Sequence, residues 1–339
     1  MKVYILEGEY FHSEWMSVFK EIATYLKDYY NAKIISQRGG WNYIEEFDYF
    51  LPDCELIIYD EKKDILKAIS WSESPSKIID IFKKRSNKQD ILMKTQIWFG
   101  EELNENPNFN FEFKFKGTTF YTIANIDHNY FFNKRKSIKH EDLIDKMFFK
   151  ASTRREDPFI LHEMGYCTDP IANGGGGIPI EEYLELAINH KIGLSISSAS
   201  EIAYREIEYM ACGIPNMHLK YLTRLDPPLK PDYHYISVDR TGFPIGPGYD
   251  LAGGQKYREA YIKRFLESKD DKDFLEFVSN NARQYYLDYC SPENRLSHIL
   301  NRLEIDHETT FWWTRNPQDR KSTRLNSSHS QQSRMPSSA

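Results

Sequence analysis

Ser197, Ser198, Ala199 and Ser200 form a run of small residues within 191–215, KIGLSISSASEIAYREIEYMACGIP, between an apolar strand-like segment and an amphipathic helix-like one. Hydroxyls and backbone N–H groups at the start of a helix, where its dipole is positive, suit a phosphate or pyrophosphate. The same residues have a purely structural use: Ser198 and Glu201 spell an S-x-x-E capping box, in which Glu201 satisfies the helix's own first N–H groups. Arg205 and Glu208 follow at i and i+3 on one helix face, with Tyr209 beside them. They make either an intrahelical ion pair or two charged handles for a ligand.

A second basic group stands upstream, in FFKASTRRE (148–156), where Arg154 and Arg155 follow the end of an expected strand. A guanidinium fork can bond two oxygens of a diphosphate at once, although two arginines after a strand also serve as ordinary surface solvation. Asn173 to Gly177 (NGGGG) is expected to be a loop, since it opens no helix directly after a strand. Candidates for a proton-accepting base are Glu9, His12, Asp127 and His128, all in loops near expected strand ends. No metal site is expected. Cys54, Cys167, Cys212 and Cys290 lie far apart as buried thiols would, and Asp270–Asp273 reads as a solvated charged run inside a helical region.

Glu208-Tyr-Met-Ala-Cys-Gly-Ile-Pro215 resembles the E-x-M-A-x-G-x-P segment of GT-B-fold glycosyltransferases. Arg205 three residues before the glutamate makes the segment look more like the exostosin-like and lipopolysaccharide-modifying O-glycosyltransferase branches. FFKASTRRE resembles their F-R-G/A-x-x-x-R segment. LDPPLKPDYHYISV (225–238) resembles the run that follows their Gly-x-Pro strand. The resemblance covers the C-terminal half. It implies a nucleotide-diphosphate sugar as co-substrate and no other cofactor. Arg154, Arg155 and Arg205 would meet the diphosphate and Glu208 the ribose or sugar, with Ser198, Ser200, Glu201 and His234 as further donor contacts. His234 also reads as a core histidine. Many retaining members carry a glutamate eight residues before the second one. That position is Ser200 here, with Glu201 offset by one, so retention and inversion both stay open.

The elements that must position these groups are legible as hydrophobic periodicity. Strands are expected at 2–8, 32–36, 55–59, 95–99 and 119–125, and helices at 13–30 and 76–84. After a charged segment at 133–146 come strands at 147–151, 192–197, 216–221 and 234–238, helices at 157–164, 180–190 and 201–212, and helices almost throughout 257–303. The alternation argues for parallel sheets. The fold class expected is α/β: two Rossmann-like lobes of GT-B type with a helical C-terminal segment. The first lobe, 1–145, would take the acceptor, and the second, 146–310, the donor.

With 339 residues, 40% of them hydrophobic, the chain is long enough for two cores. Residues 319–339, DRKSTRLNSSHSQQSRMPSSA, hold seven serines and no aromatic residue, and resemble a translated sequencing-adapter tail. They are expected to be non-native and disordered, with the natural C-terminus missing. The tail carries four Lys and Arg against one Asp, a net of +3, so the formal −6 of the chain leaves −9 on the remainder. So acidic a body argues against broad nucleic-acid binding. No transmembrane segment is expected; the reading is a cytoplasmic protein, with peripheral membrane association open. The function expected is a metal-independent hexosyltransferase acting on a glycan or lipid-linked acceptor, as in surface polysaccharide synthesis. The alternatives are a nucleotide-sugar epimerase and a degenerate glycan- or nucleotide-binding protein without activity.

Overall fold

The computed structural model describes residues 1–7, 13–39, 42–51, 55–70, 78–94, 114–117, 126–150, 156–170, 178–196, 204–221, 227–239 and 255–306; of these, the side chains of 13–17, 94, 115–117, 156 and 204 are left aside. The chain opens with β1 (Lys2–Glu7), α1 (Ser13–Tyr30) and β2 (Lys33–Arg38). Val3 to Leu6 are buried without alternation, as in a strand covered on both faces, and β2 returns parallel to β1 across the helix. Two short strands, β3 (Asn42–Ile44) and β4 (Tyr49–Leu51), make a separate ribbon. β5 (Glu55–Asp60), β6 (Ile65–Ser70), α2 (Ile78–Arg85), β7 (Ile91–Lys94) and β8 (Lys114–Gly117) complete a six-stranded sheet in the order β2-β1-β5-β6-β7-β8.

This sheet is mixed where the sequence argued for a parallel one: β5 runs antiparallel to both β1 and β6. Only 61–64 separate β5 from β6, far too few residues for a crossover, so the pair must fold back as a hairpin. Asp64 turns in the left-handed region (φ 51°), and its carboxylate accepts from the Tyr59 hydroxyl and from Arg85. The strands expected at 95–99 and 119–125 lie outside the described residues.

The charged segment at 133–146 is structured. Its residues form the end of α3 (His128–Ser137), a 3-10 turn (His140–Asp142) and the start of β9 (Ile144–Phe148), so the boundary read at 145/146 falls within a strand. α4 (Glu156–Glu163), α5 (Ile180–Ala187), β10 (His190–Leu194), α6 (Tyr204–Cys212), β11 (Asn216–Leu219) and β12 (Ile236–Val238) follow. Their sheet, in the order β12-β11-β10-β9, is parallel throughout. α7 (Gln255–Ser268), α8 (Lys272–Tyr285), a π-helical segment (Tyr286–Cys290) and α9 (Arg295–Arg302) complete the described chain. Asp270–Asp273 is not a run within one helix: Asp271 caps α8 by accepting from the Phe274 amide, and Asp270 pairs with Lys191 at 3.0 Å. Among the described residues the protein is thus a mixed α/β protein with a six-stranded sheet, a four-stranded sheet and a two-stranded ribbon.

One buried cluster holds the first sheet and α1 against helices of the second half: it includes Val3, Phe19 and Ile22 together with Met210 of α6, Tyr285 of α8 and Ile299 of α9. α9 returns to α1 to close it, tied by Arg295 to Glu21 at 3.1 Å. Two glycines make close approaches possible. Gly213 ends α6 as a Schellman cap: its φ is 67°, its amide bonds Met210 O, and the Ile214 amide bonds Tyr209 O. A Cβ on Gly193 in β10 would stand 2.6 Å from the Tyr209 ring. Cys167, Cys212 and Cys290 are free and buried, as their scattered spacing led one to expect. No described helix is long and apolar enough to cross a membrane.

Candidate functional site

In parallel α/β sheets, ligands collect beyond the carboxyl ends of the strands, where helices begin. β9 ends at Phe148 and continues through Phe149 and Lys150; β10 leads, beyond the described residues 195 and 196, toward α6. The first turn of α6 carries Arg205 into this region. Its guanidinium carbon lies 4.3 Å from the centre of the Phe149 ring, a cation–π contact, and its Nη2 donates to Lys150 O at 3.3 Å. The Nε is enclosed and has no hydrogen-bond partner among the described residues. A flat cation thus rests on an aromatic face with a donor to which no described residue bonds.

The surroundings keep Arg205 charged. Burial by itself disfavours the cation, but the Tyr183 and Tyr209 hydroxyls and the carboxylates of Glu206 and Glu208 outweigh it, and the pKa lies above the ordinary arginine value. Glu208, partly buried one turn along α6, acts on Tyr209 and Cys212 as well as on Arg205. Tyr183 donates to the Tyr209 hydroxyl (3.3 Å), and Tyr209 to Phe148 O (3.1 Å). This chain bolts α5 and α6 to the end of β9. Burial pushes the Tyr183 pKa well above the usual tyrosine range.

Of the residues singled out in the sequence, Arg205 and Glu208 come together here. Arg154, Arg155, Ser198, Ser200, Glu201, Glu9 and His12 lie outside the described residues. Asp127 caps α3, its carboxylate accepting the Tyr130 amide at 3.0 Å. His128 is buried against Tyr286, its pKa pushed down to about 4 mainly by burial and secondarily by Arg283. His234 sits in an aromatic group with Tyr233 and Tyr285, and its Nδ1 accepts the Lys230 amide at 2.9 Å. Burial pushes it, too, down to about 4. Phe149 and Tyr183 were not singled out: an aromatic at a strand end and one on an amphipathic helix look like plain core residues. Their proximity to Arg205 arises from β9, α5 and α6 meeting.

No protein-family model matches the chain, and no curated protein matches it. Among solved structures it is similar to a glycosyltransferase from Rickettsia africae ESF-5, at 10% identity and a TM-score of 0.42, over 85% of this chain and 80% of that one. It is also similar to a chain of the GtfA/B complex, at 8% identity and a TM-score of 0.27, over 78% and 68% of the respective chains. Likeness of this degree assigns neither an activity nor a substrate.

Proposed function

We propose that this chain is a glycosyltransferase whose second sheet binds a nucleotide-diphosphate sugar. The observation that carries the reading is the Arg205 guanidinium, set on Phe149 with its enclosed Nε unpartnered among the described residues, one turn before Glu208 and beyond the end of a parallel strand. The motif from Glu208 to Pro215 resembles the donor-binding segment of GT-B glycosyltransferases and supports the same assignment. In the reaction, the bond from the sugar's anomeric carbon to the diphosphate oxygen breaks and one to an acceptor hydroxyl oxygen forms. The acceptor proton passes to a base, and the diphosphate leaves with the bonding pair.

Arg205, joined by Arg154 and Arg155, offsets the charge on the leaving diphosphate, so the chemistry calls for no metal. Glu208 orients the ribose or sugar, and Ser198, Ser200, Glu201 and His234 are further donor contacts. The acceptor, a glycan or lipid-linked hydroxyl, is taken from the side of the first sheet, with Glu9, His12 or Asp127 as base. The setting that fits a nucleotide-sugar donor is the cytoplasm.

Thermal melting of the full chain against UDP, GDP, CMP and ADP and their sugar conjugates tests the donor site, since a ligand of the folded state raises the melting temperature. Arg205→Ala is expected to weaken binding of the stabilising nucleotide by roughly 1.5–3 kcal/mol. Arg205→Lys, which keeps the charge and loses the fork, should restore only part of it. Unchanged affinity in a folded Arg205→Ala variant overturns the assignment.

A further inference from the structure

A cleft of about 380 Å³ opens at the C-terminal end of α6, where the α6–β11 turn (Gly213, Pro215) meets the end of α3, the loop to β9 and the start of α8. Its floor is apolar, with Phe132, Ile138, Leu143 and Leu275. Its walls are basic: Arg135, Lys136, Lys139 and Lys272 face two carboxylates, Glu141 and Glu276. An excess of two positive charges in a concave surface stands out on a chain whose formal charge is −6.

The cations are also poorly matched by protein acids. Lys136 pairs with Glu276 at 3.4 Å. Arg135, partly buried, donates to the carbonyls of Ile188 (2.6 Å) and Lys191 (3.3 Å), and among the described residues it pairs with no carboxylate. Lys139 and Lys272 likewise form no ion pair among the described residues. His140, on the same wall, has an enclosed Nε2 without a hydrogen-bond partner among the described residues. Of the four cations, Lys136, Lys139 and Lys272 are exposed and Arg135 is the partly desolvated one, the kind that gains most from an anion brought close.

We propose that this cleft is a second ligand site, separate from the Arg205 site, that takes the phosphate dianion of a small, free phosphorylated molecule. Two negative charges match the excess of two positive ones. Lys139 and Lys272 supply donors at the exposed rim, and the apolar floor receives the rest of the molecule. The volume of this open cleft, about 380 Å³, falls in the range of small-molecule pockets. Gly213 and Pro215 connect the cleft to the helix that carries Arg205 and Glu208.

Inorganic phosphate is the probe, with the full chain and its Arg205→Ala variant. Saturable protection of Lys139 and Lys272 from amine acetylation, read by peptide mass spectrometry, is expected in both proteins. By titration calorimetry, Lys139→Ala/Lys272→Ala should bind phosphate about tenfold more weakly, the change expected from losing a charge-assisted contact. Equal protection by sodium chloride at matched ionic strength would reduce the effect to screening and overturn the proposal. So would protection by phosphatidic-acid vesicles alone, or unchanged affinity in the double variant. Loss of nucleotide binding in Arg205→Ala bears on the donor site and leaves this test untouched.

Discussion

Tyr209 does two jobs at once. Its ring occupies space that only a glycine at 193 leaves open, and its hydroxyl links Tyr183 to the Phe148 carbonyl at the end of β9. Removing that hydroxyl leaves the buried Tyr183 hydroxyl without an acceptor and takes a donor from the Phe148 carbonyl. Tyr209→Phe is therefore expected to cost about 1–3 kcal/mol of stability, read as a lower urea midpoint at unchanged slope. A midpoint equal to wild type would mean that water or another group takes over the bonds. The variant keeps the ring, so it separates hydrogen bonding from packing.

At the scale of elements, α6 is the piece on which the candidate site depends, and its end is set by Gly213. The left-handed φ of 67° strains any L side chain there, and a Cβ would stand 2.7 Å from the Phe132 ring on α3. Gly213→Ala should destabilise the fold by at least about 1 kcal/mol, from backbone strain and overpacking together. Denaturant melts would show this directly, and an unshifted midpoint would refute the packing account. The Gly-x-Pro segment is thus a structural stop, with Pro215 leading straight into β11. That reading of the motif needs no ligand, and it explains why the helix ends where it does.

Over the whole molecule, three buried histidines make stability depend on pH. His128, His190 and His234 are each pushed down to about 4, chiefly by burial, from the ordinary 6.5. The unfolded chain therefore binds protons between those values that the folded chain refuses, so stability is full above pH 6.5 and falls as the pH drops toward 4. Each histidine contributes on the order of 2–3 kcal/mol to that loss. Urea midpoints measured from pH 7 to pH 4.5 should fall steadily, and His234→Gln should flatten the slope, since glutamine does not titrate. A flat profile in the wild type would show that these rings are hydrated.

Much of this was legible without a structure, because hydrophobic periodicity reports which face of a segment is buried. α1, α6 with its glycine stop, the strand before it and the helical C-terminal stretch are local patterns, and the proximity of Arg205 to Glu208 follows from their spacing on one helix. Strand direction is not a local property. That β5 runs against its neighbours was decided by a four-residue turn and by the register it forces on β1 and β6. The place of α9 was equally hidden: its apolar face demands a partner, and only the closed molecule shows the partner to be α1, some 270 residues away, through Arg295 and Glu21 (|i−j| = 274). Phe149, Tyr183 and the basic cleft escaped notice for one reason. Each is made of residues ordinary in their own segments, and it takes long-range packing to bring Phe149 and Tyr183 to Arg205 and to set the charged segment around 132–143 against Gly213, Lys272 and Leu275.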